Sequence, residues 1–561
     1  MEIEKLQADL LFLHAPAYFD FRKEDKIYFP FMSTSGDVPI TPVYEFYPLG
    51  FNTLQNYLTK RGHDVKIFNL CSYMLQNPDV DVKKILEAIE VKVLGIDLHW
   101  LIHVQGALKI AELFKKIHPD TYIQFGGISS SYYADELIRY PFADFVMTGY
   151  DTHVPMEHML REVKGGNQFE KVPNLYWKRN GQIHKNPFDY QPRILENEVD
   201  WSDIPRQGTG LFPMLDIIST VNAGCANNCG WCGGSNRAFK RIYKGAASPV
   251  FKDEKTVGRE FSSLNGIQEV RNYNFYSCGN YNLNGNKYIK YIEQLEDYTF
   301  KSVNYEEYRL VGEDVLRAMV KGNKNVIITL SPESQNQRIS KLAGRGHFSM
   351  EEMEEWIDKA LSIGIAEVDI WFFIGMPEQD EASVYELIEY CKHLLKKFQG
   401  SKVVPLICPM MPVLDPGSEF FENPDKHGYR IFYRSLEEHR KGFMHASLIN
   451  RLNYETKWLT REQIVHLGYK AIREILIQKG KYNYLPSSIV ESTVSKLDDA
   501  VDFLDIVHKV DCIAAPVIRN NELGQLSAEI LKRNQEVFFH GVMNQAFPMY
   551  RAHGQRWFDY K

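Results

Sequence analysis

The stretch Gly224–Gly234, GCANNCGWCGG, holds three of the eight cysteines of the chain within eight residues. Cys225, Cys229 and Cys232 have the spacing C-x3-C-x2-C and are flanked by glycine and asparagine. Soft thiolates this close together hold zinc or an iron–sulfur cluster. A closed structural zinc site needs four ligands, and no second C-x2-C pair or nearby histidine supplies the fourth. The spacing therefore favours a [4Fe-4S] cluster with three protein ligands and one iron left open for another molecule.

The composition is that of a folded protein with several domains. The chain has 561 residues, of which 44% are hydrophobic and 24% charged, and this length predicts two to four domains. A net charge of -7 argues against a broad nucleic-acid-binding surface. The N-terminus lacks the basic start of a signal peptide, and the longest apolar run, residues 403–414, is too short to span a bilayer. We therefore expect a cytoplasmic protein with no membrane span and no nucleic-acid partner.

The cysteines outside the loop are scattered along the chain. This pattern gives no disulfide framework and fits a reducing compartment. They are Cys71, Cys278, Cys391, Cys408 and Cys512.

Strand and helix patterns alternate in two successive series, which predicts an α/β fold with parallel sheets. Such sheets bind ligands outside the carboxyl ends of their strands. The first series has predicted strands at 9–15, 65–70, 91–98, 121–127 and 143–149, and the second at 214–224, 270–279, 324–334, 366–377 and 401–409. We expect a flavodoxin-like, doubly wound sheet over residues 1–164, a linker with one hairpin over 165–210, a complete or partial βα barrel over 211–428, and a mainly helical region over 429–561.

The cysteine loop resembles that of the radical S-adenosylmethionine (SAM) superfamily, because it follows the first strand of the second series and has Trp231 before its last cysteine. The resemblance implies a [4Fe-4S] cluster on the three cysteines and SAM on the open iron. It also implies an external one-electron reductant of the flavodoxin or ferredoxin type, which drives cleavage of SAM to a 5′-deoxyadenosyl radical. The segments ITLSPES (328–334), FFIGMPEQD (372–380) and residues 404–421 extend the resemblance. The SAM-binding residues it implies are Trp231, Gly233, Ser277, Glu333, Ser334 and Gly375. Cys278, at a predicted strand end, is either a candidate catalytic thiol or an inert one.

The first series resembles the cobalamin (B12)-binding domain that precedes the radical SAM barrel in one subfamily. It carries the P-L-G…G-H-x-V pattern from Pro48 to Val65 and the G-G element FGGISSS at 125–131, which implies contact with the nucleotide tail of the cofactor. The alternative is a flavodoxin-like fold that binds nothing. The resemblance to the cobalamin-binding domain implies these cobalamin-binding residues: Leu49, His99, Trp100, Gly126, Gly127, Ser129 and Gly149.

One segment of the first series resembles a cobalt-ligating motif only in part. Asp97-Leu98-His99 begins like D-x-H-x-x-G, in which the histidine ligates cobalt, but Ile102 stands where the motif has glycine. The segment also follows the third predicted strand, whereas that motif follows the first. We therefore expect cobalamin with its own base detached and no histidine ligand.

The resemblance to this subfamily implies an enzyme that methylates an unactivated carbon, or phosphorus, of a small-molecule, lipid or natural-product substrate. Two alternatives stay open. In one, the enzyme uses cobalamin for a radical rearrangement or cyclisation without methyl transfer. In the other, a non-catalytic protein keeps the cluster and the corrin for sensing or assembly.

Overall fold

The structure is a computed structural model that describes residues 5–33, 49–195, 197–203, 216–267, 274–277, 289–409 and 413–539. Within these ranges the chain forms two large sheets and a helical C-terminal region, in the order that the sequence predicts.

The first sheet has seven strands in the order β2-β1-β3-β4-β5-β6-β7. The pairs from β2 through β5 are parallel, and the five strands predicted for this series are confirmed. The centre of β1 is apolar and fully buried, because helices cover both faces of a parallel sheet. The strands are β1 (Leu6–His14), β2 (Val65–Asn69), β3 (Ile89–Asp97), β4 (Tyr122–Gly126), β5 (Phe145–Met147), β6 (Leu175–Arg179) and β7 (Gln182–Lys185). The helices are α1 (Leu49–Thr59), α2 (Leu70–Gln76), α3 (Val82–Glu87), α4 (Val104–Ile117), α5 (Ile128–Tyr132), α6 (Ala134–Leu137) and α7 (His153–Arg161).

The predicted hairpin of segment 165–210 consists of β6 and β7. This hairpin is part of the first sheet, because β6 pairs antiparallel with β5. This part of the predicted linker is therefore an extension of the first sheet.

The second sheet has six parallel strands in the order β15-β14-β13-β12-β11-β8. Within the described residues its two edge strands do not pair with each other, so the sheet is a partial barrel. The sequence pattern does not predict β12, whose six residues end in two glutamates. The strands are β8 (Asp216–Ser219), β9 (Asn222–Ala223), β10 (Val250–Phe251), β11 (Asn274–Ser277), β12 (Ser302–Glu307), β13 (Val326–Glu333), β14 (Glu367–Ile374) and β15 (Val403–Pro409), with β9 and β10 forming a separate small pair. The helices are α8 (Asn236–Ile242), α9 (Glu254–Ser263), α10 (Ile289–Gln294), α11 (Glu313–Gly322), α12 (Gln337–Leu342), α13 (Met350–Ile363) and α14 (Glu381–Lys397).

The C-terminal region is mainly helical, as predicted. Its long helices clamp the segment that follows β1: the amide of Phe29 donates to Asn534 Oδ1 at 2.9 Å, and the hydroxyl of Tyr469 donates to the Phe31 carbonyl at 3.0 Å. The elements are α15 (Glu419–Glu422), α16 (Pro424–His427), β16 (Tyr429–Ile431), α17 (Leu436–Gly442), α18 (Leu448–Arg451), β17 (Tyr454–Thr456), α19 (Arg461–Lys481), α20 (Ser487–Asp511) and α21 (Pro516–Phe539).

The same region also contacts α6 and the residues just after it. Tyr140 donates its hydroxyl to Glu437 Oε2 at 2.8 Å, and the amide of Leu436 donates to Glu136 Oε2 at 2.7 Å. None of the described helices has both the length and the apolar character that crossing a membrane requires.

Two helical glycines provide a test of this packing. A Cβ on Gly106, in α4, would lie 1.7 Å from the carbonyl oxygen of Pro16, whereas a Cβ on Gly524, in α21, would meet no atom within 4 Å. We expect Gly106→Ala to lower the free energy of unfolding by about 1–3 kcal/mol through overpacking. Gly524→Ala should instead raise it by up to about 1 kcal/mol, because alanine favours helix. Chemical denaturation of both variants checks this, and equal behaviour of the two would contradict the packing described for α4.

Candidate functional site

The three cysteines of the loop line one cavity of about 380 Å³ at the carboxyl edge of the second sheet. Their sulfurs accept hydrogen bonds from the loop itself: the amide of Asn227 donates to Cys225 Sγ and that of Gly234 to Cys232 Sγ, both at 3.3 Å. Donors of this kind stabilise metal-bound thiolates. The cavity lining contains no histidine and no fourth cysteine among the residues that the structure describes.

The spacing of the thiols argues against a preformed zinc site. Within the described ranges, His14, Asp97 and His99 are the only group of three or more possible ligands whose atoms all lie within 4.8 Å of one another. The three cysteine sulfurs do not form such a group, so at least two of them lie more than 4.8 Å apart. A zinc–thiolate tetrahedron requires a distance of about 3.8 Å between its sulfurs. Burial raises the pKa of Cys229 to about 12, an effect that the nearby Arg345 guanidinium opposes. A metal that binds here must therefore displace protons from the thiols.

Two segments that are distant in sequence enclose the cysteine loop. The amide of Gly230 donates to the Ala343 carbonyl at 2.9 Å, and its carbonyl accepts from the amide of Phe420 at 2.8 Å. Gly344 has a φ of +91°, and a Cβ there would lie 2.2 Å from the carbonyl oxygen of Asn228. These contacts fix the backbone of the cysteine loop against both segments.

A buried ion pair lies beside Cys229. Arg345 donates from Nε to Glu333 Oε1 at 3.0 Å, and its guanidinium lies 3.9 Å from the centre of the Tyr308 ring. A register shift in β13 precedes Glu333, which is fully buried and has a φ of +69°. Burial raises the pKa of Glu333 to about 7, and Arg345 opposes this. Arg345 Nη1 is buried and makes no hydrogen bond within the described part of the chain, so the cavity offers an unsatisfied cationic donor.

The structure brings five of the predicted cluster and SAM residues together on this cavity: Cys225, Cys229, Cys232, Trp231 and Glu333. Gly233, Ser277, Ser334 and Gly375 lie outside its lining, and Gly375 instead accepts a hydrogen bond from the Tyr429 hydroxyl at 2.8 Å. Cys278 lies outside the described residues. Gly234, a glycine of the cysteine loop, also lines the cavity. The site residues predicted from the sequence do not include the other lining residues, which are Ser235, Tyr276, Glu306, Tyr308, Thr329, Ser331, Arg345, Trp371 and Phe373.

A second cavity of about 380 Å³ lies at the carboxyl edge of the first sheet. Gly127 has a φ of +110°, and a Cβ there would lie 2.6 Å from the backbone nitrogen of His99, so only glycine allows this close approach. Of the predicted residues, Leu49, His99, Gly126, Gly127 and Gly149 line this cavity, whereas Trp100 and Ser129 do not.

One side chain joins the two sites. The Asp415 carboxylate accepts from the amide of Gly233 at 2.9 Å and from the side chain of Trp100, and its own amide donates to the Trp231 carbonyl at 3.1 Å. Burial raises the pKa of Asp415 to about 6, although both hydrogen bonds act against this. The cysteine loop and the loop after β3 therefore meet at one carboxylate.

Comparisons with known sequences give one family match and one distant relative. A sequence-family profile described as a B12 binding domain matches residues 37–157. The chain is 22% identical over 373 residues to the uncharacterized protein MJ0966 of Methanocaldococcus jannaschii. The aligned region covers 65% of this chain and 74% of that protein.

Two solved structures have the same fold. One is the radical SAM methyltransferase TsrM from Kitasatospora setae with cobalamin and a [4Fe-4S] cluster bound, which has a TM-score of 0.54 at 12% identity over 95% of this chain and all of that one. The other is the cobalamin-dependent SAM radical enzyme OxsB with aqua-cobalamin and SAM bound, which has a TM-score of 0.56 at 12% identity over 96% of this chain and 81% of that one. The predicted fold class and the resemblance to cobalamin-dependent radical SAM proteins are confirmed.

The carboxylate that joins the two sites gives a stability test. Asp415→Ala leaves the Gly233 amide and the Trp100 indole without their acceptor, which should cost about 1–3 kcal/mol of unfolding free energy. The exposed Asp425 in α16 is the matched control, and Asp425→Ala should change stability by less than about 0.5 kcal/mol. Chemical denaturation of the cluster-free protein measures both changes. Equal stability of the two variants would show that Asp415 does not connect the loops.

Proposed function

We propose that this chain is a cobalamin-dependent radical SAM enzyme that methylates an unactivated carbon, or phosphorus, of a small-molecule, lipid or natural-product substrate. The observation that carries the proposal is the opening of all three loop cysteines into one cavity that contains no fourth thiol or histidine in its described lining.

The residues of the first cavity fit a [4Fe-4S] cluster and SAM. Cys225, Cys229 and Cys232 would hold the cluster. The buried, unsatisfied Nη1 of Arg345 suits the carboxylate of SAM, and Glu333 suits its ribose or amino group. Trp231 would lie near the adenine.

The residues of the second cavity fit a corrinoid with a detached nucleotide tail. Gly126, Gly127 and Gly149 keep the cavity wall free of side chains, so that backbone groups can approach a ligand closely. Polar lining residues, Thr53 and Gln124 among them, suit a sugar or phosphate group.

When bound, the cluster and SAM supply a 5′-deoxyadenosyl radical, and cobalamin supplies a methyl group. The chain itself must position these groups and keep water and oxygen away. Aromatic side chains would keep water and oxygen away, because the first cavity is lined by Tyr276, Tyr308, Trp371 and Phe373. The hydrogen bonds of Asp415 would help to position the bound groups, because they fix the cysteine loop relative to the loop after β3. An external one-electron reductant completes the proposal.

A second candidate function is a cobalamin-dependent radical reaction without methyl transfer. It is favoured by the match to OxsB, which is described as a cobalamin-dependent SAM radical enzyme without mention of methyl transfer. The non-catalytic alternative has no specific observation in its favour.

Cluster binding is the first prediction of this proposal. Anaerobically reconstituted protein should hold about four iron atoms per chain, and the Cys225→Ala, Cys229→Ala, Cys232→Ala triple variant should hold almost none. The exposed Cys512 provides the control, since Cys512→Ala should retain the full iron content. Iron and sulfide analysis with absorption spectra measures this. A stable iron content of one, or zinc in place of iron, would refute a cluster of this type.

Product analysis separates the two candidate functions. The protein loaded with cluster and cobalamin is mixed with SAM and a strong reductant, and two nucleosides are quantified. Methyl transfer predicts both 5′-deoxyadenosine and S-adenosylhomocysteine, with the former lost in the triple cysteine variant. 5′-Deoxyadenosine alone would favour the reaction without methyl transfer, and neither product from fully loaded protein would contradict catalysis of either kind.

A further inference from the structure

The turn between α20 and α21 presents six consecutive apolar residues. Residues 513–518, which we call the α20–α21 tip, have the sequence Ile-Ala-Ala-Pro-Val-Ile. Val517 is 72% exposed, more than any other large apolar side chain of the described residues, and Ile518 is 54% exposed. Three or four exposed apolar residues in succession already need a functional explanation in a folded protein. The tip is therefore a candidate contact surface.

The tip projects away from the helical region. Residues 514–518 are all exposed, and they include the start of α21 at Pro516. An α-helix has 3.6 residues per turn, so a turn that rests on a neighbouring element buries at least one residue in every four. Five exposed residues in succession therefore belong to a convex end that solvent surrounds.

Other exposed apolar side chains lie at the same end of α20. Ile506 is 47% exposed and lies about two helical turns before the tip. Met444 is 44% exposed and immediately precedes His445, whose Nδ1 lies 3.2 Å from Asp511 Oδ2 at the end of α20. The apolar surface is therefore not confined to the turn itself.

Basic residues flank the tip on both sides. The exposed Lys509 precedes it, and the half-buried Arg519 follows it directly. The only acidic residue between these two is Asp511, whose side chain is 4% exposed. The next acidic residues, Asp505 and Glu522, lie about one helical turn beyond the two cations. The tip thus combines an apolar surface with local positive charge, which complements an anionic surface.

The shape and size of the tip favour a lipid surface over a second copy of the chain. A stable protein–protein interface buries about 800 Å² on each partner. The largest apolar patch of a typical monomer offers only roughly 300–600 Å². A convex apolar tip can instead enter the boundary between lipid headgroups and acyl chains, where peripheral segments insert by about 5–10 Å. Anionic headgroups attract basic residues beside such a segment.

We propose that the α20–α21 tip docks on the surface of an anionic lipid bilayer. Val517 and Ile518 enter the headgroup–acyl boundary, and Lys509 and Arg519 lie among the anionic headgroups. Such a contact is peripheral and requires no membrane-spanning helix. The inference is independent of the proposed function, which concerns the two cavities, and it adds a surface through which the chain is held at a membrane.

Vesicle flotation of the full-length protein tests this inference. Vesicles of phosphatidylcholine alone are compared with vesicles of equal parts phosphatidylcholine and phosphatidylglycerol. We expect binding to the mixed vesicles that weakens as salt is added, and weaker binding to the neutral ones. The double variant Val517→Ser, Ile518→Ser should bind the mixed vesicles at least about tenfold more weakly, because it removes the apolar groups that insert. Lys509→Glu should weaken the same binding by about fivefold or more.

The matched control is Ile194→Ser. Ile194 is 55% exposed, as Ile518 is, but lies outside the C-terminal region, so this variant should bind vesicles like the unchanged protein. Lack of binding to both vesicle compositions would overturn the inference, and so would full binding by the double variant. Analytical ultracentrifugation tests the other occupant. A concentration-dependent dimer that the double variant abolishes would assign the tip to a second copy of the chain and overturn the lipid assignment.

Discussion

The organisation of the molecule depends on the hydrogen bonds of Asp415. Its carboxylate holds the amide of Gly233, next to the last cysteine of the loop, and the side chain of Trp100, next to His99. Gly233 belongs to the cysteine loop and Trp100 to the loop after β3 of the first sheet, whereas Asp415 itself lies in the segment after the last strand of the second sheet. Because the acceptor is half-buried, moving either loop away would leave a partly buried polar group without its partner. Two sites on two separate sheets are thus kept in a fixed relation.

The charge distribution of the first cavity suits an anionic cluster with a charged ligand. Arg345 lies beside Cys229 and neutralises Glu333, yet its Nη1 has no hydrogen-bond partner in the described chain. A buried cation next to the thiols favours their thiolate forms and the additional negative charge of a reduced cluster. The walls of this cavity are aromatic, which limits access of water. The cavity therefore combines charged groups beside the thiols, Arg345 and Glu333, with an aromatic lining elsewhere, which suits radical chemistry.

Local sequence patterns predicted the cysteine loop, the two alternating series and the glycines of the second cavity, because each depends on neighbouring residues. They missed β12, whose buried Asn304 is satisfied by Thr329 on the next strand at 3.3 Å and breaks the apolar pattern of a central strand. They also missed Arg345, which reaches Glu333 only because Gly344 and Gly346 adopt left-handed conformations that turn the chain back. Asp415 contacts Gly233 across 182 positions, a pairing that no local pattern encodes. Cavities formed by distant segments are therefore where the structure adds most.

The central claim is that the three-cysteine loop leaves one iron open for SAM, and electron–nuclear double resonance of the reduced cluster tests it most directly. The protein is reconstituted, reduced and mixed with SAM that carries nitrogen-15 in its amino group. Chelation of the open iron predicts a strong nitrogen-15 coupling that is absent without SAM. A reduced cluster of unchanged spectrum and no nitrogen-15 coupling, at SAM concentrations that saturate binding, would contradict the account.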